Sequence, residues 1–288
     1  MRIHTLENED LRVTIADAGA ELISVFDKTR QIERIWTGDP AIWNRHAPIL
    51  FPFVGKVANG KYRIGDREYP MKTQHGFARD KDFACEGETA DSVTHFLTAD
   101  EQTRAIYPYE FRLTVRHRLE GRLLRVEWIV ENSGDGKMYF SIGGHPGFML
   151  PEGVRKEDCR ILFPETDELR VISTNRAGYA LPGQRTLSLS DGWVRYREDI
   201  PDTWIFEDHQ VKKVGIAGPD GRPWVMMDCV QFPMLAVWAN PNGPFICLEP
   251  WFGRTDDEGF DGTVDRKKGI QALDRSEKKE IAYAMEFC

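Results

Sequence analysis

Three short stretches of this chain hold the residue types that proton transfer needs. Phe245-Ile-Cys-Leu-Glu-Pro-Trp-Phe-Gly-Arg254 carries one carboxylate, Glu249, inside an apolar run. Burial strips such a group of hydration, raises its pKa and makes it a better proton acceptor. Phe245 to Leu248 reads as the end of a buried strand, with Pro250 forbidding its simple continuation. A glutamate at a strand end facing water is the competing reading. Gln74-His-Gly-Phe-Ala-Arg-Asp80 gathers His75, Arg79 and Asp80 around a glycine and a phenylalanine. Gly76 permits backbone conformations that other residues resist. Ser141-Ile-Gly-Gly-His-Pro-Gly-Phe148 holds His145 among three glycines and a proline, a composition that reads as a stiff loop. Two imidazoles and one carboxylate suffice for general acid–base catalysis without a cofactor. Taken singly, a histidine such as His75 or His145 is more often structural than functional. His4, His46, His95, His117 and His209 are read as structural, His117 on the outward face of its strand.

Other chemistries lack support. There is no G-x-S-x-G nucleophile elbow. Gly143-Gly-His-Pro-Gly has neither the lysine nor the spacing of a phosphate-binding P-loop, and no G-x-G-x-x-G is present. The cysteines at 85, 159, 229, 247 and 288 are odd in number and form no C-x-x-C pair. That spacing argues against a zinc site, so neither metal nor cofactor is expected. Free thiols suit a reducing cytosol.

Elements that position these residues follow from periodicity. Leu11, Val13 and Ile15 alternate with Arg12 and Thr14, and Leu22 to Phe26 follows a turn at Asp17-Ala-Gly-Ala20, so the two form a hairpin. Asp39-Pro-Ala-Ile-Trp43 has a helix-start signature and predicts one or two helical turns. Ala47 to Gly60 is apolar but carries Pro48 and Pro52, which predicts an irregular buried segment lining a cavity. Lys61 to Tyr69 holds a turn at Gly65-Asp66. Asp100 to Arg104 reads as a short helical turn ending before Tyr107-Pro108. Phe111 to Leu119 and Leu123 to Val130 alternate around Gly121 and form the clearest hairpin. Ile281, Tyr283, Met285 and Phe287 mark a closing strand.

A dozen or more short strands with almost no long helix, and no linker or composition shift, predict one all-β domain over residues 1–288, built as two packed sheets. The chain is 41% hydrophobic and 29% charged, enough apolar matter for a sizeable core. Its net charge of -8 disfavours nucleic acid and anionic membrane as partners. The start, Met-Arg-Ile-His-Thr-Leu-Glu, lacks the apolar run of a signal peptide, and no stretch approaches the ~20 residues of a membrane span. A cytoplasmic protein, monomeric or weakly dimeric, is expected.

The three motifs Gln74-His-Gly-Phe-Ala-Arg-Asp80, Gly143-Gly-His-Pro-Gly-Phe148 and Cys247-Leu-Glu-Pro-Trp-Phe-Gly253 together resemble those of the aldose 1-epimerase (galactose mutarotase) family, in its LacX-like branch. The likeness runs along essentially the whole chain, in order. It implies a large β-supersandwich that interconverts α and β anomers of an aldohexose without metal or cofactor. By resemblance, Glu249 is the general base on the anomeric hydroxyl and His145 the general acid at the ring oxygen. His75 is a second histidine near that oxygen, and Asp202 is similar to an aspartate that holds sugar hydroxyls. The residues alone leave open which histidine is the donor. Glu and His suit ring opening if the imidazole is protonated and the carboxylate is not, and a nearby carboxylate favours the imidazolium.

Trp238, Trp251, Phe77 and Phe148 are candidates for an apolar surface against a sugar's C–H face, with core packing as the competing role. Galactose mutarotases carry an Arg just after the Ala-Asn of the segment near residue 58; here Asn59 is followed by Gly60. Arg79 is the candidate replacement. A guanidinium also suits phosphate, and hexose-6-phosphate mutarotases of the superfamily carry a similar His-Gly-Phe-Ala-Arg. The expected substrate is therefore a free hexose or a sugar phosphate, with Asn59, Lys56 and Arg79 as binding residues. Lys56 and Arg254 would add to an anion site unless they are solvated surface charges. A sugar-binding protein that kept the pocket and lost the chemistry is the alternative class.

Overall fold

The computed structural model describes residues 2–196 and 203–288. Among these residues strands dominate, and the one α-helix is Glu101–Ile106. Asp100 caps that helix by accepting from the Thr103 amide, with Thr103 answering at the Asp100 amide. Asp39 also caps, but its segment makes a single turn, with Trp43 N–H bonded to Asp39 C=O at 2.8 Å. That single turn is the shorter of the one or two expected, and Trp43 at its end packs with Trp238 and Phe245.

The architecture is an all-β sandwich. Its largest sheet runs in the spatial order Trp193–Arg195, Arg160–Leu162, Lys213–Ala217, Pro223–Asp228, Lys278–Phe287, Leu123–Asn132, Phe111–Glu120, Ser92–Thr98, Ala84–Glu88. The hairpin at its centre pairs Leu119 with Leu124 across the Gly121 turn, and Trp128 with Val115. The closing strand joins it, Trp128 opposite Ile281. Alternation puts Leu113, Val115, Val126, Trp128, Tyr283 and Met285 on the inner face, all buried. His117 shares this parity and is buried, not outward as expected.

A second sheet orders Thr203–Phe206, Met234–Trp238, Phe245–Phe252, Ile142–Gly144 and Ile49–Leu50, with Gly147–Met149 also paired to Phe245–Phe252. From this sheet Ile246, Leu248 and Phe252 enter the same core cluster as Trp128 and Tyr283, which packs the two sheets face to face. Burying each such side chain contributes roughly 1.5–3 kcal/mol. A smaller N-terminal sheet is Ile3–Glu7, Leu11–Ala16, Leu22–Asp27 and Ile32–Glu33.

Pro250 does not end its strand, which runs through to Phe252. On one side of it lie two short strands instead of one, Ile142–Gly144 against Trp251 and Phe252, and Gly147–Met149 against Phe245 to Cys247. The gap falls opposite Leu248–Pro250, where no ladder partner sits on that side, so a residue without an N–H is tolerated there. His145 and Pro146 occupy that gap in the chain.

Candidate active site

The strand Phe245–Phe252 is buried on both faces. Ile246 and Leu248 face the inter-sheet core, and Phe245, Cys247, Glu249 and Trp251 face the other way by alternation. On that face Phe245 and Cys247 pack with Trp36, and Trp251 packs with Leu50, Val54, Ile205 and Ala236. Glu249 stands between these two apolar clusters, 1% exposed.

Nε2 of His145 lies 3.2 Å from Oε2 of Glu249. His145 is wedged between tryptophans, its ring centroid 5.0 Å from Trp43 and 5.4 Å from Trp238. Its backbone N–H is held by Pro48 C=O at 3.1 Å. The neighbouring Gly143 has an ordinary φ and is there for space: a Cβ would come within 2.5 Å of Trp251 Cδ1. The ring of His75 crosses that of His145 at 85°, with centroids 5.5 Å apart.

His75 is set by an unusual backbone. Its φ is +68°, a conformation that costs a non-glycine residue of order 1 kcal/mol or more. Gly76 follows at φ +71°, with Phe51 C=O only 2.2 Å from where a Cβ would stand. Gly55 C=O accepts from the His75 amide at 2.8 Å, and Gly55 N–H donates to Nδ1 of the His75 ring at 3.1 Å. Nδ1 is therefore an acceptor and the ring's proton is on Nε2. Nε2 lies 2.8 Å from the Gln74 side-chain amide, which satisfies both groups when the Gln74 carbonyl faces the ring.

The cavity around these groups holds about 290 Å³, just below the roughly 300–1,000 Å³ typical of small-molecule pockets. His75, His145 and Glu249 line it together with Arg79, Lys56, Trp238 and Trp251. Burial pushes the Glu249 carboxyl well above its usual range. It pushes His145 down to about 3, with the Arg79 charge adding to the effect. His75 is held well below the ordinary imidazole value by burial, then by His145 and Arg79. Each acid–base group is thus driven toward its neutral form. Burial outweighs the upward pull on His145 that a neighbouring carboxylate was expected to exert.

Other expected residues are placed differently. Phe77 packs into the aromatic core against Phe51, Tyr107 and Phe111 and does not line the cavity. Phe148 is also core, against Phe287. Asn59 sits beside Gly60, Lys61 and Lys72 in a separate surface hollow, because the irregular segment turns away after Lys56. Arg254 is buried in ion pairs with Glu207 at 2.6 Å and Asp257 at 2.8 Å, so it is neither solvated nor free for an anion. Asp202 lies outside the described residues. Sequence reasoning missed Trp43, Asn240, Thr174, Thr203 and Thr255 on the cavity wall. Trp43 alone carried a signal, following a capped turn.

Arg79 reaches the wall with one anchor, Gln74 C=O at 2.6 Å, and its buried Nε has no hydrogen-bond partner. Asp80 stands 4.0 Å away and also pairs with Arg45. Behind the wall, Asp256 accepts from Ala58 N–H at 2.7 Å and pairs with the buried Lys267, which ties the segment carrying Lys56 to the loop that follows the Glu249 strand.

The sequence pattern of aldose 1-epimerases matches residues 2–177. The chain belongs to the aldose 1-epimerase family. It is 32% identical over 265 residues to the chromosomal LacX protein of Lactococcus lactis subsp. lactis, covering 86% of this chain and 87% of that one. A galactose mutarotase related enzyme from Lactobacillus acidophilus superposes with a TM-score of 0.91 at 32% identity, over 100% of this chain and 97% of that one. A galactose mutarotase-like protein from Lactobacillus casei gives 0.91 at 30% identity over the whole of both chains. Membership of the aldose 1-epimerase family supports a sugar-epimerising function, and the LacX relatives place the chain in the LacX-like branch. No helix among the described residues is long and apolar enough to cross a membrane.

Proposed function

We propose that this chain, acting as one domain over residues 1–288, is a cofactor-independent mutarotase that interconverts the α and β anomers of an aldohexose. The observation that carries the reading is the 3.2 Å approach of His145 Nε2 to Glu249 Oε2 inside a buried, sugar-sized cavity. Glu249 takes the proton of the anomeric hydroxyl while an imidazole gives one to the ring oxygen. The C1–O bond to the ring oxygen breaks, C1 turns about its bond to C2, and the reverse transfers close the other anomer.

The proton count supports this assignment. Reaction needs Glu249 ionised and His145 protonated, yet burial disfavours each charge alone. A neutral pair and an ion pair of these residues carry the same single proton. Shifting it within the pair requires no proton from solvent, and sugar hydroxyls beside the carboxylate favour the ionised form. His75, with Gly55 N–H on its Nδ1 and its Nε2 held by the Gln74 side chain, is suited to a fixed neutral position beside His145 rather than to the shuttling acid. Trp43, Trp238 and Trp251 supply the apolar wall for the sugar's C–H face.

Polarimetry on freshly dissolved α-glucose and α-galactose tests the reading. Accelerated equilibration supports it. Tight sugar binding by calorimetry without acceleration would instead favour a binding protein. One observation favours a second substrate class: Arg79 and Lys56 stand on the wall, and Arg79 Nε has no hydrogen bond, only the long 4.0 Å ion pair with Asp80. A hexose 6-phosphate would give that guanidinium an anion.

A further inference from the structure

Away from the cavity, two imidazoles with fully buried side chains, His4 and His95, converge on one carboxylate oxygen. Nε2 of His4 lies 2.8 Å and Nε2 of His95 lies 3.2 Å from Oδ1 of Asp17. Nδ1 of His4 lies 2.9 Å from Oε2 of Glu88. Cys85 stands directly across the ladder from His95. A nitrogen of each imidazole and the Cys85 sulfur all lie within 4.8 Å of one another. Nδ1 of His95, on the opposite edge of its ring, is buried with no hydrogen-bond partner, so Nε2 makes the one hydrogen bond of this ring.

We propose that His4, His95, Cys85 and Asp17 form a second site, for a zinc-class divalent cation, between the N-terminal sheet and the edge of the nine-stranded sheet. Two nitrogens, a sulfur and a carboxylate oxygen are the donor set of a borderline-soft tetrahedral ion. Ligands of such an ion, about 2.0–2.3 Å from it, stand roughly 3.3–3.8 Å apart. The Asp17 contacts need open by only about half an ångström or less to admit it. Glu88 has the outer role: it accepts from Nδ1–H of His4, which fixes the tautomer and frees the Nε2 lone pair for the ion.

Linear spacing hides this set, because its members come from Ile3–Glu7, the turn after Leu11–Ala16, Ala84–Glu88 and Ser92–Thr98. An ion there would also fix the Asp17 turn. Asp17 C=O accepts from Phe83 N–H at 2.9 Å and Gly19 N–H donates to Lys81 C=O at 2.7 Å, so that turn backs the segment leading from Arg79.

The test uses the full chain, stripped with chelator and titrated with Co2+ as a spectroscopic stand-in for zinc. One bound Co2+ per chain is expected, with visible ligand-field absorption and a near-ultraviolet thiolate charge-transfer band. Cys85→Ser should abolish that band, and Glu88→Gln should weaken binding roughly 10–100-fold. Cys85 is half-buried and Glu88 exposed, both on an edge strand, so both variants should fold. His145, Cys247 and Glu249 also have donor atoms within 4.8 Å of one another, so the titration is repeated in Cys247→Ser, where the band must persist. Failure to retain Co2+, or a band that survives Cys85→Ser and vanishes in Cys247→Ser, would overturn the proposal. So would Co2+ affinity indifferent to both Cys85→Ser and Glu88→Gln.

Discussion

Nε2 of His145 and Oε2 of Glu249 lie 3.2 Å apart, and the buried Nδ1 on the far side of the imidazole has no partner. The pair is brought together by a break in a sheet. Two short strands flank the strand of Glu249, and His145 fills the space between them. A dry carboxylate with an open acceptor position and an imidazole beside it can exchange a proton with a bound hydroxyl at little reorganisation cost.

Glu249→Gln keeps the shape and removes the base. Turnover in polarimetry should fall by about a hundredfold or more. The melting temperature should hold or rise, since a buried carboxyl is replaced by a neutral amide. Normal turnover in this variant would remove Glu249 from the mechanism.

The two histidines should separate by protonation state. Gly55 N–H on Nδ1 of His75 predicts a neutral ring with its proton on Nε2 near pH 7. Nitrogen-15 NMR of the imidazoles checks this directly. A doubly protonated His75 at that pH would contradict the hydrogen bond and reopen which histidine is the acid.

Arg79→Ala distinguishes the substrates. If the Arg79 guanidinium clamps a phosphate, KM for a hexose 6-phosphate should rise at least about tenfold, the scale of one charge-assisted hydrogen bond. KM for the free hexose should rise much less. Equal effects on both would place Arg79 in the wall only.

Acid stability has a named source outside the cavity. His117 is fully buried, its Nδ1 has no partner, and burial holds it at about 3 against 6.5 when exposed. The unfolded chain binds this proton first, so the stability it contributes is lost as pH falls through 6.5 and on toward 3. Near pH 5 the loss from this one group is about 2 kcal/mol. His117→Leu should flatten the fall in urea midpoint between neutral pH and pH 5. An unchanged slope would show that the ring is hydrated in solution.

What was legible in the chain and what was not divide along a physical line. Hairpins such as Phe111–Glu120 with Leu123–Asn132 follow from a period of two and one glycine turn, both local properties. The three motifs around His75, His145 and Glu249 were likewise visible, because the glycines and prolines that stiffen them are adjacent in sequence. Pro250 misled: a proline looks like a strand end until the neighbouring strand proves to be interrupted beside it. Phe77 and Asn59 stood near the right motifs but point elsewhere, since direction depends on the twist of segments such as Phe53–Gly60 rather than on residue type. Trp43 and Asn240 join the cavity from distant turns, and no local pattern could pair them with Glu249. The sequence by itself determined the main hairpins, the family motifs and the kind of chemistry available, while the short strands Arg160–Leu162, Glu168–Val171, Arg185–Ser188 and Trp193–Arg195 lay in a stretch that read as loop. Tertiary structure alone decided which groups meet and how dry they are, because contacts between residues far apart in the chain and the dehydration of Glu249 exist only once the sheets have packed.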